Sequence, residues 1–192
     1  MRGSLIVLLL LIGRPALAEC PSPDVKGVAD AGVDAVIEDD YAQARRELEA
    51  ALAALECLDH LVDSKSLATL WQVRAAMAHF DGEPSTVARD LRQAAAVNAV
   101  FFENRLGRDI RAMWEQELER DVGESKAQFR LAHREQVLWV DGVAQAGAVV
   151  VLRPGVHLVQ VVHDGRLAWT RLLDVRDGET AAFDLSANIG NR

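Results

Sequence analysis

Apolar residues recur every three to four positions along the first two thirds of the chain, the period of helices with one buried face. Residues 25–37 place Val28, Ala31, Gly32, Ala35 and Val36 on one side, and residues 41–57 do the same with Ala44, Leu48, Ala51, Leu52 and Leu55. A third helix is expected over 65–80, through Leu67, Leu70, Trp71, Ala75, Met77 and Ala78, with Ser64 or Ser66 as its cap. Pro84-Ser85 opens a fourth, carrying Val87, Leu91, Ala94, Ala95 and Asn98. Asn104 is the expected cap of a fifth, whose face is Ile110, Met113, Trp114, Glu117 and Leu118 and which Gly123 ends. Beyond Gly123 the period changes. Short runs rich in Val, Leu and Trp occupy 137–140, 148–152, 156–162, 166–175 and 180–185, separated by Asp141-Gly142, Pro154-Gly155, Asp164-Gly165 and Asp177-Gly178. Turn dipeptides between β-branched runs predict antiparallel strands, and 128–131 is expected to add an edge strand. The fold class read from this pattern is α+β: an antiparallel helical-hairpin stack of about five helices, then a small antiparallel β-sandwich.

Small residues inside the helices repeat. Gly32, Ala44 and Ala51 are 12 and 7 apart, as are Ala76, Ala88 and Ala95. The spacing resembles that of the tetratricopeptide repeat, over roughly residues 24–97. The two units are 44 residues apart rather than about 34, because 58–66 lengthens the link, and the repeat's aromatic positions are mostly aliphatic or polar here. The resemblance implies stacked hairpins and a groove for a protein or peptide, and no particular ligand. In the second half, Val140-Asp141-Gly142, then 152–159 from Leu152-Arg153-Pro154-Gly155 to Val159, then 175–180 ending in Gly178-Glu179-Thr180, resemble a PEGA-type β-sandwich. The family's opening Pro-x-Gly-Ala segment is missing, and Gln145-Ala146-Gly147 stands where it has Gly-x-Thr-Pro. This likeness implies a small envelope or extracellular module with no catalytic residues. The expected division is 1–18 signal peptide, 19–123 tetratricopeptide-like domain and 124–192 PEGA-like domain.

The address comes from the first residues. Arg2, an apolar run over 5–12, and Ala16-Leu17-Ala18 form the charged, apolar and small-residue parts of a secretory signal, with cleavage expected after Ala18. Eight apolar residues are too few to span a bilayer core, which takes about twenty. Glu19 occupies the place where a lipoprotein signal needs a small residue before Cys20, so an exported chain without a lipid anchor is expected, periplasmic or extracellular. Export makes the two cysteines a pair: an antiparallel hairpin returns Cys57 to the neighbourhood of Cys20, in a compartment where thiols oxidise.

Charge narrows the partners. The chain carries −8 formally, and −10 once Arg2 and Arg14 leave with the signal (−8 − 2). Residues 19–130 hold 13 Lys plus Arg against 22 Asp plus Glu, so the acidity lies in the helical half. Such a field repels nucleic-acid phosphates. No Gly-x-Ser-x-Gly, phosphate loop or helix-spaced histidine pair is present among the motifs that carry chemistry. His157 and His163 lie about 20 Å apart along one strand, too far for a shared metal, and His157 is expected to be structural. Glu38-Asp39-Asp40 and Glu115, Glu117, Glu119, Asp121 read as solvated faces, and Arg45, Arg46, Arg89, Arg92, Arg105, Arg108 and Arg111 as surface ion-pair partners. The expected function is a non-enzymatic interaction or scaffold protein of the bacterial envelope, without cofactor or metal, contacting a protein or peptide through residues such as Trp71 and Arg74. The alternative is a polysaccharide binder stacking sugars on Trp139 and Trp169.

Overall fold

The computed structural model describes residues 20–120, 122–123 and 125–185. The residues read as a signal peptide, with Glu19 and Asp121, lie outside them. Five α-helices come first among the described residues: α1 (Val25–Glu38), α2 (Ala42–Ala53), α3 (Ser64–Phe80), α4 (Pro84–Val97) and α5 (Arg108–Glu119). Asp24 caps α1 by accepting the Gly27 N–H, and Asp63, rather than either serine, caps α3 by accepting from Lys65 and Ser66. Pro84 sits in the first turn of α4, where its missing N–H costs nothing. The second helix ends earlier than its apolar pattern, and Leu55–Cys57 tightens into a 3₁₀ turn. Asn104 opens another 3₁₀ turn, Asn104–Leu106, and α5 begins only after Gly107 at φ +92°. It ends at Glu119 rather than Gly123.

Neighbouring helices pack in chain order, α1 on α2 and α3, α3 on α4, α4 on α5. The buried stripe of α1 is Val25, Ala29, Gly32, Val33 and Val36, while Ala31 faces solvent. An Ala- and Val-rich helix has no single apolar stripe in its sequence. The α3 contact selects one: a Cβ on Gly32 would stand 2.7 Å from Val73 Cγ1.

The strands are β1 (Ser125–Arg130), β2 (Val137–Val140), β3 (Val143–Ala144), β4 (Val149–Leu152), β5 (Gly155–His163), β6 (Arg166–Val175) and β7 (Thr180–Asp184). They form a three-stranded sheet ordered β4-β1-β7 and a four-stranded sheet ordered β3-β2-β5-β6. The expected edge strand at 128–131 is β1, the centre of the smaller sheet, antiparallel to β4 and parallel to β7. The smaller sheet is therefore mixed, while the larger is antiparallel throughout. Of the four turn dipeptides, two close hairpins. Asp141-Gly142 and Asp164-Gly165 have positive φ at both residues, as a two-residue hairpin with right-handed twist requires. Pro154-Gly155 and Asp177-Gly178 instead carry the chain from one sheet to the other.

One apolar cluster fills the helical half, and another draws Ala127, Phe129 and Val150 from the smaller sheet and Leu138, Val140, Val159, Val161 and Trp169 from the larger. Leu158 belongs to the helical cluster and Leu172 packs on it, so the outer face of the larger sheet covers the helices. The strip between α2 and α3, which had read as a lengthened link, is the docking surface. Glu56 accepts the Leu172 N–H (3.0 Å) and pairs with Arg171 (3.1 Å), and Thr170 Oγ1 donates to the Leu58 carbonyl. The β2–β3 turn presses on the same strip. A Cβ on Gly142, at φ +75°, would meet Ser64 N at 2.6 Å and the Val62 carbonyl closer still. Gly142→Ala is expected to destabilise by about 2 kcal/mol or more, from backbone strain plus displacement of the strip. A urea midpoint within experimental error of the parent would contradict this packing.

Candidate functional site

Three buried glutamines lock distant backbone segments together, each using both ends of its amide. Gln72 on α3 donates to the Phe101 carbonyl (2.9 Å) and accepts the Glu103 N–H (2.8 Å). Gln160 on β5 donates to the His60 carbonyl (2.8 Å) and accepts the Val62 N–H. Gln93 on α4 donates to the Val156 carbonyl (2.5 Å) and accepts its N–H (2.9 Å). A side-chain amide thus completes the edge of β5 beyond the end of β2. The geometry is that of a ladder bond, which is why a polar residue is stable there.

His157 is completely buried and bridges two turns. Its Nε2 stands 2.8 Å from the Arg153 carbonyl and its Nδ1 2.6 Å from Asp141 Oδ2, while Asp141 Oδ1 accepts the Leu158 N–H (2.8 Å). The carbonyl only accepts, so Nε2 carries a proton, and the Nδ1–carboxylate contact holds a second one. Burial raises the Asp141 pKa. Burial opposes charge on His157, but the hydrogen bond and charge of Asp141 outweigh it and the imidazole pKa is raised. This pair ties the β2–β3 turn to the start of β5, a structural part rather than an exposed catalytic one.

Alongside this locked seam lies a cleft of about 400 Å³ between α3, α4, the β4–β5 connection and the end of β6. Trp71 and Arg74 come together in it. The Arg74 guanidinium lies 4.5 Å from the Trp71 ring centroid and grips Asp90 with two bonds, 2.7 and 2.8 Å. Asp90 has no exposed surface and also accepts from Arg89 Nε (2.9 Å). Arg92 Nε is 3.1 Å from Glu117, which Arg120 reaches as well (2.8 Å). Glu117 is therefore a buried ion-pair partner and not part of a solvated acidic face. Pro154, Gly155, Val156 and Val175 supply the sheet wall.

The other singled-out residues fall elsewhere. Cys20 and Cys57 form a disulfide, with Cα atoms 5.6 Å apart. Trp169 is 8 % exposed, inside the cluster shared by the two sheets. Trp139 is half-buried, and strand alternation puts it on the face opposite Leu138 and Val140, away from Trp169. The two indoles do not share a platform. His163 stacks on His133, ring centroids 5.3 Å apart, not on His157. Among the described residues no group of three or more His, Cys, Asp or Glu side chains is placed to hold a metal ion, and no helix is long and apolar enough to cross a membrane. Reading the sequence missed Gln93, Asp90 and Asp174 as cleft residues. The mid-helix Asp90 between Arg89 and Leu91 was the available signal, since an acid among core positions needs a partner.

No family model, no curated protein and no solved structure matches this chain.

Proposed function

We propose that the chain is an exported, non-enzymatic interaction or scaffold protein of the bacterial envelope, in which a tetratricopeptide-like helical part is fused to a PEGA-like β-sandwich and a partner protein docks in the cleft at their junction. The observation that carries the reading is that cleft. It joins an apolar wall to the arginines of α3 and α4, on a frame held rigid by Gln93, Gln160 and the Asp141–His157 pair. Preorganised walls reduce the ordering cost of binding. A peptide suits it better than a sugar, because one face of the Trp71 ring is already covered by Arg74. The Cys20–Cys57 disulfide supports export, as such bonds persist in oxidising compartments.

The test is capture from the periplasmic and culture fractions with the disulfide-intact protein as bait, in parallel with an Arg89→Gln/Arg92→Gln variant. Each substituted arginine shares its buried carboxylate with another arginine, so the fold is expected to persist. One defined protein should be retained by the parent and lost by the variant. If both baits retain the same proteins, or neither retains any, the cleft is not the docking site.

A further inference from the structure

The larger sheet ends in an edge that is covered along part of its length and open beside the cleft. β6 is the outer strand of that sheet. Val156 and Leu158 turn their backbone groups away from β6, toward Gln93 and Asp141. By antiparallel alternation their opposite residues, Asp174 and Leu172, turn their own N–H and C=O groups to the free side of β6. The N–H of Leu172 is taken by Glu56. Two residues on, the N–H and C=O of Asp174 have no partner among the described residues, and Asp174 lines the cleft.

Across the cleft stand Arg89 and Arg92, on one face of α4. Each spends its Nε on a buried carboxylate, Asp90 and Glu117 respectively. Their terminal amino groups have no acceptor among the described residues, and both side chains are about half exposed. An Nε-anchored guanidinium that presents its free edge to solvent is preset for an incoming carboxylate. The lining of the cleft is less acidic than the chain as a whole. The lining holds three arginines against two aspartates, in a chain whose formal charge is −8.

We infer that an extended, acidic peptide segment of the partner adds to the open end of β6, pairing its backbone with Asp174 while its carboxylates meet Arg89 and Arg92. Strand addition supplies affinity through main-chain bonds and leaves alternate side chains to the two faces. Residues facing α4 carry the acid; those between them turn to the opposite face of the sheet. The inference rests on the junction cleft being the docking site and adds how the partner is held.

The probe is a fluorescein-labelled, N-acetylated Val-Glu-Val-Glu-Val-Glu peptide, followed by anisotropy against the disulfide-intact protein. It is compared with the Val-Lys counterpart, with a version N-methylated at alternate amides, and with the Arg89→Gln/Arg92→Gln protein checked for fold by circular dichroism. Saturable binding to the parent is expected, at least tenfold weaker for the Lys and N-methylated peptides and for the variant. Equal binding of the Lys peptide overturns the acidic preference, and equal binding of the N-methylated peptide overturns strand addition. Absence of binding by the Val-Glu peptide up to millimolar concentration overturns the whole inference. A captured partner that the arginine variant loses, combined with a peptide that does not bind, leaves the docking site standing and removes only the mode of recognition.

Discussion

Asp141→Ala is expected to destabilise the protein by about 3–5 kcal/mol, the usual cost of removing one member of a buried ion pair. The reason is what stays behind. His157 keeps no exposed surface and loses its Nδ1 partner, and the Leu158 N–H loses its acceptor. The turn that Asp141 occupies at φ +49° also presses on the docking strip through Gly142. Asp141→Asn should recover part of the loss, because asparagine tolerates that conformation and can still accept from Leu158. Urea unfolding of the three proteins measures the order. Alanine and asparagine variants of equal, near-parental stability would show that the pair contributes little.

The same pair makes stability depend on pH in a definite direction. His157 has a raised pKa in the folded protein, against about 6.5 in an unfolded chain. Below about 6.5 both states are protonated, and the stabilisation is fully present. Above it only the folded state keeps the proton, so stability declines as pH rises through the folded value. The upward shift of Asp141 has the same sign and does not cancel it. Urea midpoints between pH 6 and pH 9 should fall for the parent and lose this dependence in Asp141→Asn. A midpoint that climbs with pH would reverse the assignment.

Reduction of the Cys20–Cys57 bond is expected to cost about 3–4 kcal/mol, from the chain entropy of a closed loop of this length. The two cysteines are separated by 37 positions. For a domain of this size the melting temperature should fall by on the order of 10 °C. The loss should be local first. Cys57 directly follows Glu56, which holds β6, and precedes Leu58 and His60, which receive Thr170 and Gln160. Ser22, two residues from Cys20, accepts the Asp59 N–H. Hydrogen exchange after reduction should accelerate at 56–62 and at the Leu172 N–H before it does in α3 or β5. Uniform exchange across the chain, or an unchanged melting temperature, would detach the disulfide from the seam.

Much of this architecture was legible in the residues. Helical spacing around Leu48, Leu70 and Leu91 located the helices, and Asp-Gly pairs at 141 and 164 located two hairpins, because both are local properties of a few neighbouring residues. The pairing of Cys20 with Cys57 followed from hairpin geometry together with the oxidising compartment expected of an exported chain. The cleft was legible only in part. Trp71 and Arg74 stand one turn apart on α3 and could be paired from spacing, but nothing local assigns Asp90 to Arg74 or Val156 to Gln93, which lies 63 residues away. The lengthened link at 58–66 was visible as a departure in repeat length, and its purpose was not.

The sequence by itself therefore determined what short-range physics decides: where backbone hydrogen bonds close into helices, where positive φ permits a hairpin, and which half carries the acid. Tertiary structure alone decided that Pro154-Gly155 and Asp177-Gly178 cross between sheets, that β1 lies at a sheet centre, and that Glu117 is buried rather than solvated. Strand partners and buried charges are chosen by which distant surfaces meet. A turn dipeptide or a lone glutamate looks the same in the chain whether its partner is three residues away or a hundred. The join of the helices to the sheet rests on such long-range choices, and so does the cleft beside it.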